Sequence, residues 1–220
     1  MKTLFTCCYA VLLSLCSNAQ PNNPFNKVGD DFIKSCQVLI TEISKGGIKT
    51  ADEASIKKIQ SMIRLKTQMD PSLAGEVIKN VKQDPLPFSA VLKNSSLKPE
   101  VQREISLMLE HGLASDDAKH REWLTEKTAT LLKSTLGSSE KELLLSLIAI
   151  QYHQGEMNNA GRLRCNTSVN GRVVEQGVGM DCAGAAALVG FTLGYTFCGF
   201  YCGLGGAVIG FAVAVIGEIS

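Results

Sequence analysis

The sequence predicts an all-α protein: a helical bundle over residues 30–155, a short loop or β-hairpin over 156–180, and a Gly-rich apolar helical hairpin over 181–220. Three observations carry this expectation. Apolar residues recur at three- and four-residue spacing through the middle of the chain, the period of a helix buried on one face. Helix-starting signals stand at the heads of those stretches: Thr50-Ala-Asp-Glu53 and Ser139-Glu-Lys-Glu142 as capping boxes, Pro71 and Pro99 as first helical residues. From Cys182 to Gly217 there is no charged residue, Pro, Asn or Gln, so the last segment needs apolar surroundings on every side.

In chain order, residues 1–19 read as a secretory signal. Lys2 gives the positive start, Leu4–Leu15 the apolar run, and Ser17 and Ala19 the small residues before a cut after Ala19. Residues 20–29, polar with two prolines, read as a flexible leader. Phe32, Cys36, Leu39 and Ile43 then share one helical stripe that Gly46-Gly47 closes. Ile56, Ile59 and Met62 follow the Thr50 box, and Ala74, Val77 and Ile78 follow Pro71. Asp84-Pro-Leu-Pro87 breaks the chain before one or two turns at Phe88–Leu92. Val101, Ile105, Met108 and Leu109 face inward on a helix ending at Gly112. Ser115 caps the next, which carries Trp123, Leu124, Leu131 and Leu132. Leu143, Leu144, Leu147, Ile148 and Ile150 form the most apolar helix of the bundle, ending at Gly155. Asn170-Gly171 between alternating runs is a hairpin signal, with a loop as the alternative.

The tail is written in glycine. Gly190/Gly194, Gly199/Gly203 and Gly206/Gly210 are four apart, which puts each pair on one helix face and lets another backbone come close. One folding is a single tilted span. The other is a hairpin with arms over 183–197 and 207–217, turning at Gly199–Gly206. At ~1.5 Å per residue such arms fall short of a ~30 Å hydrocarbon core, which suits a soluble core, a shallow insertion or an oligomer.

Charge and chemistry narrow the function by exclusion. Lys plus Arg total 22 against 21 Asp plus Glu, and signal removal takes only Lys2, leaving 21 against 21. A neutral chain argues against nucleic acid as a partner. His111, His120 and His153 make no metal-ligand spacing, and Ser115-Asp-Asp117 reads as a helix cap with acids at the dipole. Cys36 lies on an apolar stripe rather than beside a base. No nucleophile elbow or phosphate loop occurs. The expectation is no catalytic residue, no metal and no cofactor. Asn166-Thr-Ser168 matches a glycosylation acceptor. With the signal gone, Cys36, Cys165, Cys182, Cys198 and Cys202 remain. Export to an oxidising compartment favours disulfides among the last four, with Cys165 and Cys182 each reaching Cys198 or Cys202, or each other, and Cys36 left over.

Cys182-Ala-Gly-Ala and Phe197-Cys-Gly-Phe-Tyr-Cys-Gly-Leu-Gly-Gly206 resemble the cores of Gly-rich ribosomal bacteriocins of the halocin type. The leader ending Ser17-Asn-Ala-Gln20 resembles those of exported proteins of Bacteroidetes. The resemblance implies a membrane-active or antagonistic role. The resulting expectation is a non-enzymatic exported protein, secreted or in the cell envelope. Its tail associates with a lipid membrane or with copies of itself. The alternative is an envelope protein whose tail is an anchor or a buried core hairpin.

Overall fold

Among the described residues, the stretches with helical apolar spacing fold as helices. The computed structural model describes residues 22–48, 50, 52–62, 71–80, 88–158, 168–169, 172–173 and 182–219. The expected signal, the first two residues of the expected leader, residues 84–87, Cys165, the acceptor sequence at Asn166, Asn170-Gly171 and most of the expected joint lie outside them. The described helices are α1 (Asn26–Ser44), α2 (Glu53–Met62), α3 (Pro71–Ile78), α4 (Phe88–Lys93), α5 (Pro99–Ala114), α6 (Asp117–Lys133), α7 (Ser138–Asn158), α8 (Cys182–Cys198) and α9 (Phe200–Ile219). Between α7 and α8, β1 (Ser168–Val169) and β2 (Arg172–Val173) pair antiparallel, Ser168 opposite Val173 and Val169 opposite Arg172.

Helix α1 starts at Asn26, within the stretch expected to be leader. The reason is local anchoring: buried Asn23 donates from Nδ2 to the Leu145 carbonyl at 2.9 Å, and its Oδ1 accepts from the Phe25 N–H at 2.9 Å. Helix α1 then crosses α7 with little space between them. A Cβ on Gly29 would collide with the Ala149 carbonyl and the His153 ring.

At three helix starts the cap is not the residue that the sequence signals point to. Asp116, not Ser115, caps α6 by accepting from the Lys119 N–H at 2.9 Å. At the head of α2, Asp52 Oδ1 accepts from the Ser55 N–H at 2.8 Å, while Thr50 donates to the other Asp52 oxygen at 2.6 Å. Before α7, Glu140 reaches back to the Gly137 N–H at 2.8 Å, so the box begins before Ser139. Where a carboxylate and a hydroxyl compete for a cap, the stronger acceptor takes the backbone donors and the positive end of the dipole.

One apolar core runs through the molecule. Phe32 and Leu39 of α1, Ile105 and Met108 of α5, Leu124 of α6, Leu144 and Ile148 of α7, Phe191 of α8 and Phe211 of α9 belong to a single buried cluster. The tail is part of it. Helix α9 packs on α1 and α3, and α8 packs on α3, α4 and α7. Every residue from Cys202 to Ala214 is buried, which a helix apolar on all faces requires. In the interior of α7, Leu143–Gln151 is likewise buried throughout.

Candidate functional site: a glycine-packed apolar hairpin

The tail folds as two antiparallel helices, α8 of 17 residues and α9 of 20. The turn differs from the expected Gly199–Gly206 stretch. Gly199 alone makes it, with φ +84° and its N–H bonded to the Tyr195 carbonyl at 2.8 Å. A left-handed residue is the ordinary end of a helix, and glycine takes that conformation without a Cβ penalty. Gly203, Gly206 and Gly210 thereby fall inside α9, so the arms are 182–198 and 200–219 rather than 183–197 and 207–217. At ~1.5 Å per residue they are about 26 and 30 Å long. No helix among the described residues is long and apolar enough to cross a membrane.

The six glycines singled out by spacing divide into three roles. Gly190, Gly194, Gly206 and Gly210 hold the helices together at contact distance. A Cβ on Gly190 would overlap the Gly206 carbonyl, and one on Gly206 would overlap the Gly190 carbonyl. Gly194 meets the Cys202 carbonyl in the same way, and Gly210 the Ala186 carbonyl. Each partner steps forward by four on one helix and back by four on the other, so one backbone lies along a groove in its neighbour. Gly203 instead makes room for a ring: a Cβ there would stand 3.0 Å from Phe191 Cε1. Gly199 is the turn, and a Cβ on it would meet nothing within 4 Å.

The hairpin satisfies its own polar groups and faces its surroundings with carbon. Buried Thr192 donates from Oγ1 to the Leu188 carbonyl at 2.9 Å, inside its own helix. Phe211 meets Phe32 of α1 edge-to-face, centroids 6.1 Å apart. Tyr195 stacks on Phe191 near the turn, and its hydroxyl titrates above the ordinary tyrosine range because of burial first, then the negative charge of Glu142 and Glu140 at the head of α7. Tyr201, just past the turn, is 58 % exposed.

The hairpin also restricts the cysteines. Cys202 is buried and disulfide-bonded. Cys182 and Cys198 are the two ends of α8, about 24 Å apart at ~1.5 Å per residue, far beyond the ~7 Å Cα separation a disulfide tolerates. Cys202 lies opposite Gly194, so about 18 Å of helix separates it from Cys182. Both expected bridges from Cys182 into the turn are therefore corrected: the pairings the hairpin leaves open for Cys202 within it and the preceding joint are Cys198 and Cys165. Cys36 is buried in α1, on the expected apolar stripe.

A second constellation lies where α5, α6 and α7 meet. His111 Nδ1 is 3.1 Å from His120 Nδ1, and His120 Nε2 is 3.2 Å from Gln151 Oε1. Ser115 Oγ is 3.3 Å from His111 Nε2. The His111 ring stacks on Trp123 at 4.6 Å and 10°. His120 is 1 % exposed, and its pKa falls from 6.5 to about 4, through burial and then the neighbouring His111. Burial also lowers His111. Among the described residues no group of three or more His, Cys, Asp or Glu is placed to hold a metal ion.

No family model matches this chain, and neither does any curated protein or solved structure. The functional reading therefore stands on the hairpin's own physics.

Spacing found the glycine faces but not the histidine pair. The sequence signal for it is symmetry about a turn. His111 lies four residues before Ser115 and His120 four residues after Asp116, so two helices joined tightly there bring the rings together. Gln151, the third partner, comes from α7 and carries no such signal.

Proposed function

We propose that this is an exported, membrane-active protein of the toxin-like kind, which carries its apolar hairpin sheathed inside a bundle of amphipathic helices. The observation that supports this reading is how the hairpin is held. Its helices join through glycine and backbone, an interaction that works as well in lipid as in protein. Its contact with α1 is apolar, as in Phe32 against Phe211. Exchanging that sheath for lipid tails trades one apolar environment for another, so the bundle's own stability sets the cost. The hairpin enters the membrane as one unit and to shallow depth, Tyr201 leading, since a tyrosine beside the turn suits the headgroup layer. Lipid is the partner, and copies of the hairpin associate through the same surface that α1 and α3 cover in the sheathed state. Export by the signal over residues 1–19 delivers the chain to that membrane.

Complete burial of Cys202–Ala214 favours a second reading, in which the hairpin is permanently the core of a non-enzymatic envelope protein. A tip reporter separates the two. In a Trp123→Phe, Tyr201→Trp chain the single tryptophan sits beside the turn. With anionic phospholipid vesicles the proposal expects flotation with the vesicles, a blue-shifted emission and quenching by lipid-borne quenchers. Failure to float at about pH 7 and at about pH 5, near the two ends of the range where folded proteins tend to be most stable, in a chain that remains folded leaves the core-hairpin reading in place.

A further inference from the structure

We propose that the His111–His120 contact is a proton-sensitive joint, which holds α5, α6 and α7 together while the pair shares a single proton and parts when it takes up another. Two Nδ1 atoms 3.1 Å apart can be bonded only if one carries hydrogen and the other offers its lone pair. The neighbours complete the assignment. Gln151 Oε1 accepts from His120 Nε2–H, so His120 Nδ1 is the acceptor and His111 Nδ1–H the donor. His111 Nε2 is then free to accept from the Ser115 hydroxyl. Turning the Gln151 amide over reverses every donor along this row, yet still leaves one proton between the rings.

An added proton puts N–H groups on both facing nitrogens. The hydrogen bond becomes a repulsion, and it falls at a ring that is 1 % exposed and has no water to turn to. The other groups around the pair offer no compensating anion. From α5, Glu104 is occupied by Lys127 of α6 at 2.7 Å. Lys127 itself lies over the Trp123 ring, 5.4 Å from its centroid, and adds positive charge. Arg121 of α6 lies over Tyr152 of α7, again positive. Asp116 at the turn binds the Lys119 N–H and, at 3.1 Å, the Lys119 ammonium. Among the described residues no carboxylate bonds to either ring. The joint matters to the rest of the fold because α7 also carries α1 and touches α8.

The molecule contains its own reporter. Trp123 is the only tryptophan and stacks on His111; an imidazolium quenches a stacked indole, whereas neutral imidazole does so weakly. The full-length chain is titrated from pH 8 to 4, with Trp123 emission and the melting temperature followed together. The joint predicts a melting temperature that falls as pH drops from 6.5 toward about 4, and a loss of emission toward the acid end of that window, where the folded pair takes up its added proton. His120→Gln keeps a polar group without the titration and should flatten the fall in melting temperature. His111→Gln, at a half-buried position, should do the same and serves if the first variant does not fold. An unchanged melting temperature over this window in the wild type overturns the joint, and so does an undiminished slope in a folded variant. Vesicle flotation of the same samples keeps this inference apart from the membrane reading. A pH step without flotation removes the membrane role and keeps the joint, while flotation without a pH step does the reverse.

Discussion

Two glycines in helices make opposite predictions from the same chemistry. At Gly190 a methyl group would run into the Gly206 backbone carbonyl, which cannot rotate away, so the helices must separate. Gly190→Ala should cost about 1–3 kcal/mol, as overpacking does, and Gly194→Leu at least as much. Gly75, exposed on α3, has nothing within 4 Å of the place a Cβ would occupy. Gly75→Ala should therefore stabilise by roughly 0.5–1 kcal/mol through helix propensity alone. Thermal melts of the two alanine variants check both signs, and equal effects would remove close packing as the explanation. The histidine pair acts at the same scale through protons. A ring that titrates at 6.5 when unfolded and at about 4 when folded is stabilising while neutral. That contribution is complete above pH 6.5, declines as pH falls toward 4, and amounts to about 3 kcal/mol at ~1.4 kcal/mol per pH unit. The spacing of four exposed the glycine faces in advance because helical geometry alone dictates it. It could not choose the turn residue, because glycines at 199, 203, 205 and 206 offer the same freedom, and burial supports helix through the last three.

In the bundle, helix boundaries were legible to within about a turn, and the misread caps have a common cause. Ser115, Thr50 and Ser139 all read as caps, yet Asp116 and Asp52 take the backbone donors at two of these sites and Glu140 reaches back from inside the third helix. Asp116→Ala should lower the melting temperature more than Thr50→Ala, since only the first removes an acceptor that bonds a helix N–H directly. Asp116 and Asp52 are held below the ordinary carboxylate range, chiefly by the Lys119 N–H for Asp116 and by the Thr50 hydroxyl for Asp52. Their stabilisation is present above the unfolded value of 3.8 and is lost as pH drops through the lower folded value. Acid melting should thus show the histidine window first and the cap window below it. The hairpin makes an equally definite statement about its cysteines. Peptide mapping of the unreduced protein should find Cys202 joined to Cys198 or Cys165, and a Cys182–Cys202 peptide would mean that α8 and α9 do not run antiparallel in the register set by Gly190 and Gly206.

At the scale of the whole molecule, the sequence divides the chain by composition while the core joins it by contact. Charge patterning sets a well-charged bundle apart from an uncharged tail, and the all-α class follows from that pattern with little ambiguity. What composition does not show is which surfaces meet. An apolar stripe on α1 or α3 is the same stripe whether it covers a neighbouring helix of the bundle or a hairpin far along the chain, because burial is non-directional. Here Phe32 meets Phe211, and α3 and α4 lie on α8, so the amphipathic helices have the tail as part of their core. Removing residues 181–220 should then do more than delete an appendage. The shortened chain would expose the inner faces of α1, α3 and α4 and lose the cooperative melt of the full protein, while keeping much of its helix signal. It should bind a hydrophobic dye as a loosely packed state does. Both functional readings depend on this outcome. If the shortened chain melts cooperatively at the full-length temperature, the hairpin contributes nothing to the bundle, and its burial needs another cause. If it collapses to a dye-binding, non-cooperative state, releasing the hairpin and loosening the sheath are one event, and whatever weakens the α5–α6–α7 joint also lowers the barrier to exposing the tail.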